Sequence, residues 1–151
     1  MMYRLLITVL VACAGAVASV TMAHAGLLSS TGIVIAILAD DLFVGEAEGH
    51  LNGAGTIAIH SQKRPHLTCQ GEFTSSALLG GTGQMLCSDG ATATFHFQRL
   101  SVLRGYGTGS FSRGGMSFAY GLTAEEAAPY LTLPEGKKLA YKGTELQLAD
   151  L

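Results

Sequence analysis

The chain has 151 residues and a formal net charge of −2, with 48% hydrophobic and 13% charged residues. This charge balance excludes a strongly basic nucleic-acid surface, and the length fits one domain with one core. Much of the hydrophobic excess lies in the first 38 residues, so the remainder has the composition of an ordinary globular domain.

The N-terminal segment has the organisation of an export signal. Arg4 precedes an apolar run from Leu5 to about Val20, and Ala23-His24-Ala25 follows as an A-x-A cleavage site. We therefore expect residues 1–25 to be a signal peptide and residues 26–151 to be a single β domain. The mature protein is expected to be periplasmic or secreted.

A second interpretation of the same segment remains open. Leu10-Val11-Ala12-Cys13 matches the lipobox of bacterial lipoproteins, in which the cysteine is acylated and becomes the first residue. In that case Cys13 would anchor the protein in the outer membrane by a lipid. Association with a membrane is expected only in this alternative.

The first part of the mature chain predicts a buried strand followed by a hairpin. The apolar, β-branched run at 32–38 is too short to span a bilayer alone and is typical of a buried strand. From Phe43 onward apolar or small residues alternate with polar ones up to the turn residues Asn52-Gly53. Ile57 and Ile59 then continue the apolar face in the returning strand.

The pattern G-x-G followed by a polar and an apolar residue occurs three times, beginning at Gly53, Gly81 and Gly107. Its spacing predicts three hairpin-sized units. The expected fold is mainly β, an antiparallel β-meander of about seven to nine strands closed into a small barrel. A two-sheet sandwich is the alternative.

Two cysteines remain once the signal is removed, Cys69 and Cys87. Both fall on apolar positions of strands predicted to be neighbours, so a disulfide is expected in an oxidising compartment. Further along, Thr123 and Glu126 form a capping box that predicts a short helix over 123–130, covering an edge or an open end of the sheet. The residues after Tyr141 are expected to fray.

Two resemblances rest on short motifs. The mature chain resembles an uncharacterised family of small exported proteobacterial proteins, which implies an exported location and no particular chemistry. The motifs are DLFVGE at 41–46, CQGEF at 69–73, CSDG at 87–90, GYGTGS at 105–110, FAYGLT at 118–123 and LPEGK at 133–137. Locally, Gly71-Glu72-Phe73 with Gly81-Thr82-Gly83, and Gly45-Glu46 with Gly53-Ala54-Gly55, resemble MORN repeats, which are glycine-punctuated hairpins used as interaction scaffolds.

Two sets of side chains are candidate binding residues. A zinc or copper site would need several imidazole or carboxylate ligands to converge, and the candidates are His50, His60, His66 and His96. Exposed strand histidines are the alternative interpretation. An anion or anionic glycan could bind near the glycine-rich run at 105–115, where the candidates are Arg99, Arg104 and Arg113.

Three classes of function fit this sequence. The leading hypothesis is a non-enzymatic cell-envelope protein with a structural or partner-binding role, its partner an envelope protein or a glycan. The second is a barrel that binds a small ligand or a metal, with a cavity lined by Phe43, Phe73, Phe95 and Phe97. The third is a periplasmic hydrolase that uses Asp89, Ser88 and His96. An enzyme is less expected than a binding protein, and no cofactor is expected.

Overall fold

The computed structural model describes residues 29–76 and 78–151. The predicted signal peptide and Cys13 lie outside the described residues. Within the two ranges, eight strands close into an antiparallel barrel and two more form a small separate sheet. The barrel strands are β1 Ser29–Leu38, β2 Asp41–His50, β3 Ala54–Ser61, β4 Thr68–Ser76, β5 Gly80–Cys87, β6 Thr92–Ser101, β7 Arg104–Phe111 and β8 Gly114–Tyr120.

The barrel is a meander, because each strand pairs with the next one along the chain and β1 closes the sheet by pairing with β8. The closing ladder runs from Val34 opposite Tyr120 to Leu38 opposite Met116. The predicted antiparallel barrel is therefore confirmed, and the two-sheet sandwich does not form. Closure pairs the barrel strands on both sides over most of their length, which removes most of the exposed sheet edge.

Alternation along the strands fills the barrel interior. In β6, for example, Ala93, Phe95 and Phe97 are buried in the core, whereas Thr94 and His96 face outward. The period of two in the sequence thus corresponds to the inner and outer faces of the barrel wall.

The two ends of the barrel differ. We call the end with the β2–β3, β4–β5 and β6–β7 loops the mouth, and the opposite end the closed end. At the closed end, Leu67 and Ala91 are buried in the connections that lead into β4 and β6. Their side chains belong to the same core cluster as the Cys69–Cys87 disulfide, which confirms the predicted bridge.

Glycines inside the barrel make room for aromatic rings of neighbouring strands. A Cβ atom at Gly107 would lie 2.6 Å from the ring of Phe118, and one at Gly83 would lie still closer to the ring of Phe95. Because these distances are too short for real contacts, a side chain at either glycine would displace the ring. The repeated glycines of the sequence therefore hold rings in fixed positions in the core.

The second half of strand β1, from Val34 to Leu38, is buried on both faces, which explains its uninterrupted apolar sequence. Val34 and Ala36 face the barrel core, whereas Ile35 and Ile37 belong to a second core on the outer wall. The C-terminal segment provides the other half of this second core. Its elements are the α-helix α1 Ala124–Ala127, the 3-10 helix Ala128–Tyr130 and the hairpin strands β9 Lys137–Lys142 and β10 Glu145–Asp150.

The C-terminal segment confirms one prediction and corrects two. The capping box of Thr123 and Glu126 is present. The helix, however, packs its buried Ala124 and Ala127 on the outer wall instead of covering an edge or an open end, because Ile35 and Ile37 need a partner there. The last residues form β10 instead of fraying, with Leu146 buried in the same cluster. Among the described residues, no helix has the length and apolar character needed to cross a membrane.

Candidate ligand-binding site

The barrel contains a cavity of about 380 Å³ that opens at the mouth. Inward-facing residues of the mouth half of the barrel line it together with the β2–β3 and β6–β7 loops. Apolar and aromatic side chains dominate this lining. The apolar and aromatic lining residues are Val34, Ala47, Leu51, Ile57, Phe73, Phe95, Phe97, Val102, Leu103, Phe118 and Tyr120.

Three aromatic rings form one wall of the cavity. The ring of Phe97 meets Phe73 edge to face at a centroid distance of 5.6 Å and meets Tyr120 in the same way at 5.7 Å. Edge-to-face pairs of this kind hold one another in a preferred geometry. Of the phenylalanines expected to line a cavity, Phe73, Phe95 and Phe97 do so. Phe43 does not, because it is buried in the core towards the closed end.

Arg99 lies at the mouth beside this aromatic wall. Its Nε donates to the Ser76 carbonyl oxygen (3.0 Å), Nη1 to the Val102 carbonyl oxygen (2.6 Å) and Nη2 to the Ser75 hydroxyl (2.9 Å). Its guanidinium carbon is 6.0 Å from the centroid of the Phe97 ring. These contacts fix the guanidinium between two mouth loops. Because a guanidinium has five N–H donors, two remain beyond the contacts made within the described part of the chain.

Tyr120 lines the same cavity, and its hydroxyl lies against Gly105, where an added Cβ atom would clash with it. Its hydroxyl oxygen is buried and has no hydrogen-bond partner among the described residues. Burial raises the pKa of Tyr120, and the nearby positive charge of Arg99 opposes that shift. The group is therefore a neutral hydroxyl at ordinary pH. A buried hydroxyl without a partner is costly for the fold, so a bound group that accepted a hydrogen bond from it would lower this cost.

Two inward glycines at the mouth differ from those deeper in the barrel. A Cβ atom at Gly49 would meet only the ring of Phe73, at 3.9 Å, and one at Gly32 would come no closer than 3.6 Å to any atom outside its chain neighbours. Both distances are ordinary van der Waals contacts. The space next to these glycines is therefore part of the cavity and is not occupied by a ring.

The structure does not bring the four candidate metal ligands together. His50 lies at the mouth end of β2, His60 is in β3, His66 precedes β4, and His96 is on the outer face of β6. The His96 ring contacts the Thr108 hydroxyl at 3.3 Å. Within the described ranges, no three His, Cys, Asp or Glu side chains are placed to hold a metal ion.

The three candidate anion-binding arginines also lie apart. Arg99 and Arg104 flank the β6–β7 loop at the mouth, whereas Arg113 is at the closed end. Arg104 forms an ion pair with Glu126, and Arg113 forms one with Asp89. Only Arg99 of the three lines the mouth cavity.

The side chains considered for hydrolysis have separate structural roles. Asp89 accepts from the Ala91 N–H at 3.0 Å and pairs with Arg113 at 2.6 Å. Ser88 accepts from the Thr68 N–H across the closed end. His96 is on the outer wall, next to Thr108. Each group is therefore bonded to a different neighbour, and the three do not form a nucleophile and base pair.

Comparisons of the chain with protein-family models, with curated proteins and with solved structures gave no match. The resemblances to an exported proteobacterial family and to MORN repeats therefore stay predictions. The interpretation of the site rests on its geometry.

Sequence reasoning singled out Arg99 but not Tyr120, and it did not place either at the cavity. The alternation of inward and outward residues along a strand predicts that both side chains face the barrel interior. Arg99 continues the inward series of Phe95 and Phe97 in β6, and Tyr120 continues that of Met116 and Phe118 in β8. A charged or hydroxyl-bearing residue at the last inward position of a strand indicates the opening of a barrel.

Proposed function

We propose that this protein binds a small amphiphile, with one apolar chain in the barrel cavity and an oxygen-bearing head group at Arg99 and Tyr120. The observation that supports this most directly is an apolar cavity that opens beside a fixed guanidinium, with Tyr120, whose buried hydroxyl has no partner in the described part of the chain, in its wall. Sites for small molecules commonly have this composition, a mainly apolar lining with a few oriented polar groups.

The size of the cavity suits an alkyl chain. An apolar cavity of about 150 Å³ is enough to hold benzene in a well-studied engineered protein, and this cavity measures about 380 Å³. Each CH₂ group transferred from water contributes about 0.8 kcal/mol. A medium-length chain would therefore supply enough free energy for measurable binding even after the cost of immobilising the ligand.

The polar end of the cavity favours an anionic head. The two remaining N–H groups of Arg99 suit a carboxylate or a phosphate, for which a guanidinium is the preferred partner. The Tyr120 hydroxyl would donate to one of the same oxygens. A carboxylate amphiphile such as a fatty acid satisfies both groups and fills the apolar space.

The proposal selects the second of the three hypotheses drawn from the sequence and retains its location. An exported protein that takes up an amphiphile would act in the periplasm or outside the cell. The proposed role is non-enzymatic, because the groups considered for hydrolysis bond to separate neighbours. A structural or partner-binding role in the envelope remains a prediction from sequence.

The first experiment is a calorimetric titration with dodecanoate, using a pair of matched glycine variants. Gly49→Val places its side chain in the cavity, where a Cβ atom fits without a clash. Gly115→Val adds the same side chain on the exposed surface of β8, where nothing lies within 4 Å of a Cβ atom. We expect Gly49→Val to weaken dodecanoate binding and Gly115→Val to leave it unchanged. Equal affinities in both variants would rule out the mouth cavity as the site.

The second experiment tests the head-group contact. Arg99→Met removes the charge at the cavity, and Arg104→Met removes a neighbouring charge that pairs with Glu126. We expect Arg99→Met to reduce dodecanoate affinity about tenfold or more while leaving dodecanol binding nearly unchanged. Arg104→Met should behave like the unmodified protein. An equal loss for dodecanoate and dodecanol in Arg99→Met would mean that the mouth loops moved instead.

A further inference from the structure

The mouth is surrounded by exposed apolar side chains on three separate loops. These residues are between 52% and 86% exposed, whereas large apolar residues inside the barrel such as Ile57 and Phe95 are buried. We call this group the apolar crown. It consists of Leu51 in the β2–β3 loop, Leu78 and Leu79 in the β4–β5 loop, and Val102 and Leu103 in the β6–β7 loop.

The crown differs from the loops at the closed end. Among the exposed residues there are Lys63, Arg64 and Arg113, together with Asp89 at the neighbouring turn. The sequences at 51–53, 77–79 and 100–103 contain no Asp or Glu, and Arg99 and Arg104 flank the last of them. Exposed apolar groups collected at one end of a protein indicate a surface that contacts something apolar.

The crown is continuous with the cavity. Leu51, Val102 and Leu103 are crown residues that also line the cavity opening. A partner that covers the crown would therefore also cover the entrance to the proposed binding site. This favours a partner that contains the ligand or accepts it.

We propose that the apolar crown docks the mouth onto a phospholipid membrane surface, so that the cavity faces the acyl chains and exchanges its amphiphile with them. The identity of the exchanged molecule rests on the proposed function. The docking itself rests on the crown alone. Apolar groups that enter the boundary between head groups and acyl chains give surface binding whose strength scales with the apolar area they bury.

The chemistry of the crown favours lipid over a protein partner. Protein interfaces concentrate their binding energy in Trp, Tyr and Arg, whereas Leu and Val are under-represented at such positions. The crown consists of Leu and Val on loop tips that enclose an opening. A fluid acyl layer adapts to such a shape, whereas a protein would need a matching surface.

The first test measures the fluorescence emission of a single introduced tryptophan. The protein is purified in the form that its host produces. The sequence contains no Trp, so each variant has one emission source. Leu79→Trp places the reporter on the crown, and Leu86→Trp places it on the outer wall of β5 at an exposed position. With vesicles of phosphatidylethanolamine and phosphatidylglycerol, we expect the emission of Leu79→Trp to shift to the blue and that of Leu86→Trp to stay unchanged.

The second test is vesicle flotation of two triple variants. The crown variant combines Leu51→Ser, Leu79→Ser and Val102→Ser, one change in each loop. The control combines Leu86→Ser, Tyr141→Ser and Leu151→Ser, which are exposed apolar residues outside the mouth. We expect the crown variant to lose vesicle binding about tenfold or more and the control to retain it. Both should keep the unfolding midpoint of the unmodified protein.

The outcomes separate this inference from the proposed function. A blue shift confined to Leu79→Trp supports docking, and it does so even if dodecanoate does not bind the protein. Failure to bind vesicles, with dodecanoate binding retained, overturns docking and leaves the proposed function intact. A blue shift of Leu79→Trp without lipid, accompanied by concentration-dependent dimerisation, would also overturn it, because a second copy of the chain would then cover the crown.

Discussion

The two ends of the barrel are built from the same hairpins but differ in what their side chains contact. At the closed end, the Ser61 hydroxyl donates to Asp41 (2.7 Å) and accepts from the Arg64 N–H (2.9 Å), and a disulfide joins β4 to β5. At the mouth, the Tyr120 hydroxyl is buried without a partner among the described residues, and the interior contains a cavity.

On the proposed function, this difference places the stabilising contacts and the binding site at opposite ends of the barrel axis. The closed end satisfies its polar groups and fills its interior, so that changes there affect mainly the free energy of unfolding. The mouth exposes apolar side chains and buries the Tyr120 hydroxyl without a partner among the described residues. Both features lower stability, and on the proposed function they provide contacts for another molecule. Functional sites commonly retain such unfavourable features.

The largest effect is expected from the disulfide. Cys69→Ala with Cys87→Ala removes a bridge between residues 18 apart in sequence, which should reduce the free energy of unfolding by about 3 kcal/mol. Urea denaturation measures the loss. Well below the unfolding midpoint, dodecanoate affinity should be retained. A parallel loss of affinity would show that the two ends are coupled.

A pair of glycine variants compares the packed interior with the cavity. At Gly71 a Cβ atom would lie 2.7 Å from the Met85 side chain and still closer to the Gln84 carbonyl oxygen, whereas at Gly49 it meets only Phe73 at 3.9 Å. Gly71→Ala should therefore cost about 1–3 kcal/mol, and Gly49→Ala less than about 0.5 kcal/mol. Equal decreases in the free energy of unfolding, measured by thermal unfolding, would mean that the interior is packed as tightly at Gly49 as at Gly71.

Ser61 at the closed end and Tyr120 at the mouth each have a buried hydroxyl, and removing these two groups should have opposite effects on stability. Ser61→Ala leaves Asp41 and the Arg64 N–H without their partner and should cost about 1–2 kcal/mol. Tyr120→Phe removes a buried hydroxyl that lacks a partner among the described residues, so stability should stay the same or rise by up to about 1 kcal/mol. Urea unfolding measures both changes, and dodecanoate binding should weaken only in Tyr120→Phe. A clear loss of stability in Tyr120→Phe would contradict the assignment of its hydroxyl to a ligand.

The smallest expected effect is the pH dependence of stability that comes from Asp89. The Ala91 N–H and the Arg113 guanidinium hold the pKa of Asp89 below its usual value. A lowered pKa in the folded state stabilises the protein above the unfolded-state pKa of about 4, and this contribution is lost as the pH falls through the folded-state value. Asp89→Asn should therefore lower the thermal midpoint slightly near neutral pH and not in strong acid. An equal decrease at both pH values would show that the carboxylate charge is not the cause.

The hairpins were predictable because their signals are local. Asn52-Gly53 indicates a turn, and the alternation around Phe95 and Phe97 indicates an inner and an outer face. The parity of Cys69 and Cys87 correctly predicted a bridge between neighbouring strands. The capping box at Thr123 likewise depends on residues only three positions apart.

The features that were not predicted depend on contacts distant in sequence. The helix lies on the outer wall because Ile35 and Ile37 project there, and β10 forms because Leu146 packs against the same cluster. The crown had an available signal that was not used. In a meander, alternate hairpin loops lie at the same end, so apolar residues in the second, fourth and sixth connections must gather there.

Strand β1 pairs with β2 over a longer stretch than with β8. On the proposed function, this difference affects which ligands the site would distinguish. β1 pairs with β2 along its whole length, from Ser29 to Leu38, but with β8 only from Val34 onward. Ser29, Ser30 and Thr31 thus extend beyond the part of β1 that pairs with β8, and they line the cavity without a β8 partner within the described residues. On the proposed function, the bulk of a head group would extend past these residues into solvent while its oxygens contact Arg99. Selection among amphiphiles would therefore depend on the length and thickness of the chain, and compounds that share a tail would compete for the site even when their heads differ greatly in size.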